Sequence, residues 1–426
     1  MMRVINNPAR LQWTTLCQRP SIESDFLEGA VRNTLQRVRN SGDRAILDLT
    51  DQFDKIKLNS LTVIDTEYDE ALKSIPKSLA NAIDLAIKNV RAFHERQTDP
   101  GYEIETMPGV KCWRRSKPIE KVGIYIPGGT APLFSTLIML GVPAKIAGCS
   151  KIVICTPPDQ NGKIPAPILY VAKVLSLDCV FKAGGAQAIA AMAYGTETIP
   201  AVNKIFGPGN QYVTKAKQLV SMDGVAIDLP AGPSEVLVLV DENANPDFVA
   251  ADLLAQAEHG PDSQVILVAS NLEIVENVNR AIEAQLKELP RAETATKALA
   301  NSLAVTFDNR NDQIDFINEY APEHLIINTS DSIDIADRVA NAGSIFLGAY
   351  TPESVGDYAS GTNHTLPTSG YAKAYSGVSL SSFQKFITYQ EITRKGLELI
   401  GPAVERLAEA ESLEAHKRSV TIRLGK

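Results

Sequence analysis

The stretch CVFKAGGAQAIAAMAYGT, residues 179–196, decides the fold class. An apolar run of strand length ends at two glycines, and an apolar helical run follows them directly. A strand that leads through a tight turn into a helix is half of a β-α-β unit, in which the two strands are parallel. The stretch therefore predicts an α/β protein whose parallel sheet is covered by helices on both faces.

The same pattern recurs on both sides of this stretch. Residues 121–140, 151–158 and 204–220 each begin with an apolar strand that ends at a glycine or proline turn, and residues 225–240 give two strands around a Pro-Gly-Pro corner. From residue 263 to residue 348, strands and amphipathic helices alternate again, which predicts a later α/β unit. Such sheets bind ligands at the carboxyl ends of their strands, where the glycine-rich turns are expected.

A helical region from about residue 22 to residue 97 precedes both units. We predict that it packs against the later unit, which makes the middle unit an insertion. The expected division is listed here in chain order: an N-terminal extension (1–22), a first α/β domain (23–122 and 236–381), an inserted second α/β domain (123–235) and a C-terminal tail (382–426). Both ends are too isolated to form cores, so they need a surface on which to dock.

Composition excludes several functions. The chain has 426 residues, which predicts two or more domains, and its net charge of −8 argues against a nucleic-acid-binding surface. No apolar run reaches the about 18 residues that span a membrane. The N-terminus lacks the apolar segment of a signal peptide, and the five cysteines are odd in number and form no CxxC pair. We therefore expect a reduced, cytoplasmic protein that binds no membrane.

Three glycine turns carry a weak functional signal: PGG (127–129), AGG (183–185) and GPGN (207–210). None matches GxGxxG, and each alone is more often a tight turn than a cofactor site. Because all three are expected at the carboxyl ends of strands in one sheet, together they favour an anionic ligand held by helix N-termini. A nucleotide would fit, but the glycines do not say which one.

The five histidines give a stronger signal. His94 lies on a charged helical segment and is predicted to be a surface residue. The other four, His259, His324, His364 and His416, each have a carboxylate or carboxamide close by in the sequence. One such pairing is more often a structural histidine, whereas four in one half of the chain favour a convergent site.

Gln256 and His259 are three residues apart and stand just before a Gly-Pro pair that must end a helix. Residues at this spacing share one helix face, so both side chains point the same way at a helix C-terminus. Histidine, aspartate and the amide oxygen of glutamine can all bind zinc. Because glutamine is an uncommon ligand, composition alone does not fix the ligand set.

The segments that carry these residues resemble histidinol dehydrogenase. The similar segments are IDLPAGPSEVLVL, LLAQAEHGPDSQ, YAPEHL, VGDYASGTNHTLPT, YIPGGTAPL, AGGAQAIAA and FGPGNQYVT. They cover nearly the whole chain in the same order and spacing as in that family. The long blocks around AGPSE and AEHGPDSQ are the most specific.

The resemblance implies two incomplete Rossmann-like domains, with terminal extensions that exchange between the subunits of a homodimer. It implies zinc-dependent oxidation of L-histidinol to L-histidine with two NAD, through bound histidinaldehyde, as the last step of histidine biosynthesis. One zinc per subunit would be held by the residues that match the family's ligands, namely Gln256, His259, Asp357 and His416. In that family the imidazole and amino nitrogens of the substrate bind the metal.

The resemblance also implies roles for other positions. Glu323 and His324 match the acid–base pair. The positions implied in substrate contact are Ser234, Gln256, His259, His324, Asp357, His364, Glu411 and His416. The positions that match NAD contacts are Tyr125, Gln187 and Asn210.

The chemistry agrees with these roles. Alcohol oxidation removes a proton and a hydride, and an imidazole with an ordinary pKa near 6.5 is a suitable base, which favours His324. Oxidation of the aldehyde needs an added water, which Glu323 could orient or deprotonate. Because adjacent strand residues point to opposite faces, both can serve one pocket only if the chain turns there, as Pro322 allows.

Two alternatives from other classes use the same residues. A zinc hydrolase would also combine glutamate, histidine and metal, with the glycine turns serving only for packing. A non-enzymatic metal-binding protein would hold zinc and turn over nothing. Production of NADH distinguishes a dehydrogenase from both.

Overall fold

Parallel strand pairing dominates the chain. The computed structural model describes residues 1–19, 24–128, 132–229 and 232–425. All strand pairs in its six-stranded and five-stranded sheets are parallel, and a three-stranded sheet is antiparallel. The predicted α/β class is confirmed.

The strands in chain order are β1 (Arg3–Asn6), β2 (Tyr102–Met107), β3 (Val110–Pro118), β4 (Lys121–Tyr125), β5 (Lys151–Thr156), β6 (Cys179–Lys182), β7 (Lys204–Phe206), β8 (Ala226–Ile227), β9 (Glu235–Val240), β10 (Gln264–Ala269), β11 (Leu303–Thr306), β12 (His324–Asn328), β13 (Ser344–Leu347) and β14 (Gln384–Ile392).

The helices are α1 (Arg10–Leu16), α2 (Ser24–Asp54, interrupted at Gly42), α3 (Asp65–Ser74), α4 (Lys77–Glu95), α5 (Phe134–Ala147), α6 (Ala166–Val174), α7 (Gly185–Tyr194), α8 (Gln211–Met222), α9 (Pro246–Ala257), α10 (Leu272–Leu286), α11 (Ala292–Ala300), α12 (Arg310–Tyr320), α13 (Ser332–Ala336), α14 (Glu353–Tyr358), α15 (Arg394–Ala410) and α16 (Glu414–Arg423). Two short 3₁₀ turns lie at Tyr371–Lys373 and Leu380–Phe383. No helix within the described ranges is both long and apolar enough to cross a membrane.

The five-stranded sheet has the order β6-β5-β4-β7-β8. The chain moves outward from β4 to β6 and then returns to the other side of β4 with β7 and β8. This reversal creates a crevice at the carboxyl ends of β4 and β7, where open α/β sheets bind ligands. Helices α2, α7 and α8 cover one face, and helices α3 to α6 cover the other.

This packing corrects the predicted place of residues 23–122. The helices of this region lie on the five-stranded sheet: α2 packs on α7, and α4 packs on α5. The prediction that they cover the strands of residues 236–381 is wrong. Amphipathic periodicity shows that a helix has an apolar face, but it does not say which sheet that face covers.

The six-stranded sheet has the order β1-β11-β10-β9-β12-β13. Every residue of β9 and β10 is buried, which explains why both strands are continuous apolar runs, without alternation, after their first residue. Helices α9, α10 and α11 cover one face, and α1, α12 and α13 cover the other.

The two ends of the chain dock differently. Strand β1 pairs in parallel with β11, so the N-terminal segment forms an edge of its own chain's six-stranded sheet. Strand β14 pairs antiparallel with β3, which pairs with β2. Sequence analysis missed this antiparallel sheet, which joins segments more than 260 residues apart. Helices α15 and α16 follow it and pack on each other.

A buried ion pair fixes the GPGN turn after β7. Lys217 and Asp228 are 3% and 1% exposed and contact each other directly. The Lys217 ammonium donates to the Gly207 carbonyl oxygen at 2.9 Å, and the Gly207 N–H donates to the Asp228 carboxylate at 2.8 Å. Gly207 has a φ of +123°, and a Cβ there would lie 2.1 Å from the Tyr125 carbonyl oxygen. The turn is therefore held from both sides and admits only glycine at its first position.

We predict that Lys217→Met lowers the free energy of unfolding by about 3–5 kcal/mol, because it leaves the Asp228 carboxylate buried and unpaired. Adding Asp228→Asn should recover part of this loss, since the amide oxygen can still accept from Gly207 without a charge. Lys215→Met, which removes a more exposed lysine of the same helix, should cost less than about 1 kcal/mol. Urea unfolding measures all four proteins. A double variant less stable than Lys217→Met would contradict the prediction.

Candidate active site

Gln256 and His259 lie where helix α9 ends. The His259 N–H donates to the Gln256 carbonyl oxygen at 3.2 Å in the turn that closes the helix. Gln256 is 1% exposed, whereas His259 is exposed toward a cavity that its side chain lines. The predicted pair at a helix C-terminus is present, with His259 just beyond the last helical residue.

A second helix brings two carboxylates to the same place. Glu353 and Asp357 are four residues apart on α14 and so share a helix face. With His259 they form a group in which one ligand atom from each residue lies within 4.8 Å of the others. Imidazole nitrogen and carboxylate oxygen at this spacing can coordinate a divalent transition metal.

Gln256 is held against this group by two buried contacts. One neighbour is the Glu353 carboxylate, and the other is the N–H of Glu235. Because a backbone N–H only donates, the Gln256 amide oxygen accepts from it at 2.9 Å, and the amide nitrogen points to Glu353. The structure thus brings Gln256, His259 and Asp357, three of the four predicted ligands, into one neighbourhood.

Glu323 and His324 lie beside the group at the start of β12. Ala321, with a φ of +51°, and Pro322 turn the chain just before the strand. As a result, both side chains reach one pocket. Glu323 Oε2 lies 3.6 Å from His324 Nδ1, and His324 Nε2 lies 3.3 Å from Asp357 Oδ1. The turn that this pair required is present.

The backbone of Glu235 fixes both residues. Its N–H donates to Glu323 Oε2 at 2.9 Å, and its carbonyl oxygen lies 3.3 Å from His324 Nδ1. Because a carbonyl oxygen only accepts, this contact assigns the proton to Nδ1 and leaves Nε2 facing Asp357. The Glu235 carboxylate is held in turn by Arg19, at 2.8 and 3.0 Å.

The surrounding carboxylates decide the charge of His324. Burial by itself lowers the pKa of His324, but Glu353, Glu323 and Asp357 outweigh it and raise the pKa well above its ordinary value. Burial raises the pKa of Glu353 to about 8. For Asp357, burial acts to raise the pKa, but the close approach and charge of the His324 ring outweigh it and lower the pKa.

Three buried atoms of this cluster make no hydrogen bond to any described residue: His324 Nε2, Glu353 Oε2 and Asp357 Oδ1. Leaving a buried polar atom unsatisfied costs about 1–3 kcal/mol. A cation placed among the two carboxylate oxygens would satisfy both and offset their mutual repulsion. The residues present therefore fit a bound divalent metal.

His364 lies behind Asp357. Its Nδ1 is 3.0 Å from the Asp357 carbonyl oxygen, and its Nε2 is 3.4 Å from Thr136 Oγ1. Burial lowers the pKa of His364, which favours the neutral ring.

The neighbouring Asn363 contacts His94, with its amide nitrogen 3.4 Å from His94 Nε2. His94 is fully buried, so its prediction as a surface residue is wrong.

Two predicted residues are not brought to this cluster by a single chain. Glu411 directly follows α15 and His416 lies on α16, and both are exposed. His416 is not a member of the group formed by His259, Glu353 and Asp357.

Tyr125, Gln187 and Asn210 line one cavity of about 920 Å³ at the carboxyl ends of the five-stranded sheet. The Tyr125 hydroxyl accepts from the Gly185 N–H at 3.0 Å, at the start of α7. Asn210 caps α8, since its Oδ1 accepts from the Val213 N–H at 3.1 Å. The structure brings all three predicted residues together.

A second cavity of about 430 Å³ adjoins the first. Ser234 and His259 line it from the six-stranded side, and Asn210 lines it from the five-stranded side. Because Asn210 borders both cavities, the larger one leads toward the charged cluster.

Comparison with known proteins identifies the family of this chain. A model of the histidinol dehydrogenase family matches residues 17–424. The chain belongs to the histidinol dehydrogenase family. It is 56% identical over 423 residues to the histidinol dehydrogenase of Bacteroides fragilis, covering 99% of both chains. It is 52% identical to that of Vibrio cholerae, covering 97% of this chain and 96% of the relative.

The crystal structure of histidinol dehydrogenase from Elizabethkingia anophelis superposes with a TM-score of 0.97 at 50% identity, covering 100% of this chain and 98% of that one. The resemblance drawn from sequence motifs is therefore confirmed, and the chain is an NAD-dependent oxidoreductase of this family. Membership argues against both alternatives, the zinc hydrolase and the non-enzymatic metal-binding protein.

Sequence reasoning missed two buried carboxylates of this histidinol dehydrogenase family member. Glu353 stands four residues before Asp357, a spacing that places both on one helix face. Glu235 is the single charge at the head of an otherwise apolar strand, which is itself a signal, because an isolated charge is costly to bury. Both signals were present in the sequence.

The cluster predicts a metal site that protons compete for. We expect the metal-free protein to bind Zn²⁺ with a rise in Tm, and Asp357→Asn to weaken binding by more than the about 100-fold typical of an outer-shell partner. Binding should weaken as the pH falls, because ligands must be deprotonated. Calorimetric titration measures affinity and proton release. Glu258→Gln, which changes the neighbour of His259, is the control, and equal weakening in both variants would contradict the assignment.

Proposed function

We propose that the protein oxidises L-histidinol to L-histidine with two NAD, through bound histidinaldehyde, as the zinc-dependent last step of histidine biosynthesis. The observation that carries the proposal is that a base, a carboxylate and a metal-binding group converge beside a cavity suited to a dinucleotide. His324 lies 3.3 Å from Asp357 and 3.6 Å from Glu323. Asn210 lines both adjoining cavities, so cofactor and substrate can meet there.

Zinc would be held by Gln256, His259 and Asp357, with His416 supplied by the partner subunit. When bound, it supplies two coordination positions for the imidazole and amino nitrogens of the substrate, which selects and positions an imidazole compound. Gln256 must then turn its amide oxygen away from the Glu235 N–H.

His324 is the proposed base for the alcohol proton. Its Nδ1 proton is directed to the Glu235 carbonyl oxygen, which orients Nε2 toward the cluster. In the chain alone, nearby carboxylates favour the imidazolium. A cation that shares the charge of Asp357 and Glu353 weakens this effect and favours the neutral ring that a base needs.

Glu323 is proposed to act in the second half-reaction, where water adds to the aldehyde. Its Oε2 is occupied by the Glu235 N–H, whereas no described residue hydrogen-bonds to its Oε1. The fixed carboxylate can therefore orient a water with its other oxygen. Ser234 and His364, with Glu411 of the partner subunit, are proposed to contact the substrate, Glu411 accepting its imidazole N–H.

Single-turnover counting of NADH tests this division of labour. The unmodified enzyme should form two NADH per L-histidinol. Glu323→Gln should form the first at a nearly normal rate and the second about 10²–10⁴-fold more slowly, because only the second step needs an activated water. His324→Asn should slow both. Glu319→Gln, on the neighbouring helix α12, is the control. Equal slowing of both steps in Glu323→Gln would contradict the roles, and the absence of NADH from unmodified enzyme would contradict the function.

A homodimer with shared active sites is proposed because apolar side chains of the C-terminal tail are exposed to solvent in the single chain. Helix α16 buries none of its residues, and Leu399, Leu407, Leu413 and Ile422 are 42–67% exposed. The same segment carries Glu411 and His416. Docking of the tail on a second subunit would bury this apolar surface and deliver both side chains to that subunit's cluster.

Mixing two inactive variants tests the sharing. His324→Ala inactivates the cluster and His416→Ala inactivates the tail. In a mixed dimer, one site combines an intact cluster with an intact tail, so co-refolding should restore about 25% of wild-type sites at random assortment. Size exclusion and differential tagging confirm mixed dimers. Folded mixed dimers without activity would show that each tail serves its own chain.

A cytoplasmic location is proposed as well. All five cysteines are free thiols, as expected in a reducing compartment.

A further inference from the structure

Asp54 is a carboxylate on the wall of the larger cavity that no described residue pairs or hydrogen-bonds. It is the last residue of α2 and lines the cavity together with Tyr125, Gln187 and Asn210. Its Oδ2 is shielded from solvent and hydrogen-bonds to no described residue. Burial accordingly raises the pKa of Asp54. The side chain is thus placed for an interaction that the chain itself does not supply.

The position is unfavourable for a carboxylate on structural grounds. The C-terminal end of a helix carries partial negative charge, which repels an acid there, and the last turn of α2 contains no basic residue. Lys55 follows directly, but its ammonium donates to the Gln52 carbonyl oxygen at 2.8 Å. Folding therefore gains nothing from this charge, which points to a role in binding.

The cavity wall shows what kind of group Asp54 can bind. The described wall contains no lysine or arginine, and its second acid, Asp159, already accepts from the N–H groups of Asn161 and Lys163 at 2.9 Å. Helices α7 and α8 begin at the cavity and present N–H groups suited to phosphates. On the described wall, Asp54 is therefore the charged acceptor left for hydroxyl donors of a dinucleotide.

The positions of the two cavities indicate which half of the dinucleotide lies beside Asp54. The nicotinamide must face the smaller cavity, which Asp54 does not line. We propose that the Asp54 carboxylate accepts hydrogen bonds from the adenosine ribose hydroxyls of NAD and, by its charge, excludes NADP. The proposal rests on the proposed binding of NAD in this cavity.

Exclusion follows from charge and from a lost donor. In NADP the 2′-hydroxyl is replaced by a phosphate, which can no longer donate and carries about two negative charges at neutral pH. Opposite a carboxylate, and with no cation on the described wall, that phosphate is repelled. A ribose hydroxyl, by contrast, can donate a charge-assisted hydrogen bond to the Asp54 carboxylate.

Asp54→Asn tests the proposal, and Asp51→Asn is its matched control. Asp51 lies three residues earlier on α2 and does not line the cavity, so both variants remove one charge from the same helix end. Fluorescence titration should show NADH binding weakened about tenfold or more by Asp54→Asn, and NADPH binding strengthened. In steady-state assays the KM for NAD should rise with kcat nearly unchanged. Asp51→Asn should match the unmodified enzyme in every readout.

The outcome also separates this inference from the proposed cofactor site. Gln187→Ala should weaken NADH binding if NAD occupies the cavity at all. Weakening by Gln187→Ala but not by Asp54→Asn would overturn the role of Asp54 alone, whereas no effect of either would overturn the cavity assignment and the inference with it. A fall in Tm for Asp54→Asn that Asp51→Asn does not show would also overturn the inference, because it would give the carboxylate a structural role.

Discussion

The buried carboxylates around His324 are the constraint on which the rest of the structure depends. Glu323, Glu353 and Asp357 approach one imidazole, and Glu235 lies behind them. Burying like charges is costly unless each is paired. Among the described residues, Glu235 is the one member of this group that an arginine or lysine pairs, through Arg19 of the N-terminal segment, whose guanidinium also stacks 3.6 Å from the centroid of the Tyr320 ring. The remaining negative charge favours the binding of a cation at this cluster.

The larger cavity and the carboxylate cluster lie at opposite strand ends of the two parallel sheets. The larger cavity lies at the carboxyl ends of the five-stranded sheet, as open α/β sheets require. The cluster lies instead at the amino ends of the six-stranded sheet, since His324 is the first residue of β12 and Ser234 immediately precedes β9. The apolar strands anchor the cluster, and the short segments before them aim its side chains. Helix α14 and the end of α9 cover those strand ends and carry the side chains that surround His324.

Local pattern predicted much of this and long-range packing little. The strand–glycine–helix pattern of residues 179–196 became β6 and α7, and the spacing of Gln256 and His259 placed them at a helix end. The helices of residues 24–95 were assigned to the wrong sheet, because an apolar helix face does not indicate which sheet it covers. The pairing of β14 with β3 was missed because its register joins Gln384 to Pro118, far beyond any local window. His94 looked exposed among charges, yet Gln97 and Asn363 supply the hydrogen bonds that make its burial possible.

Dimerisation would change two features of the single chain: the ligands of its metal cluster and the exposed apolar surface of its tail. The described cluster does not include His416, the fourth predicted metal ligand, and the tail exposes leucines along with Glu411 and His416. If His416 completes the metal site of the partner subunit, the metal binds the dimer more tightly than the monomer. Thermodynamic linkage then requires the metal to strengthen dimerisation by the same factor. The apolar face of the tail would supply most of the affinity between subunits, whereas His416 would make that affinity sensitive to the metal. Catalytic competence and assembly would then depend on the same histidine.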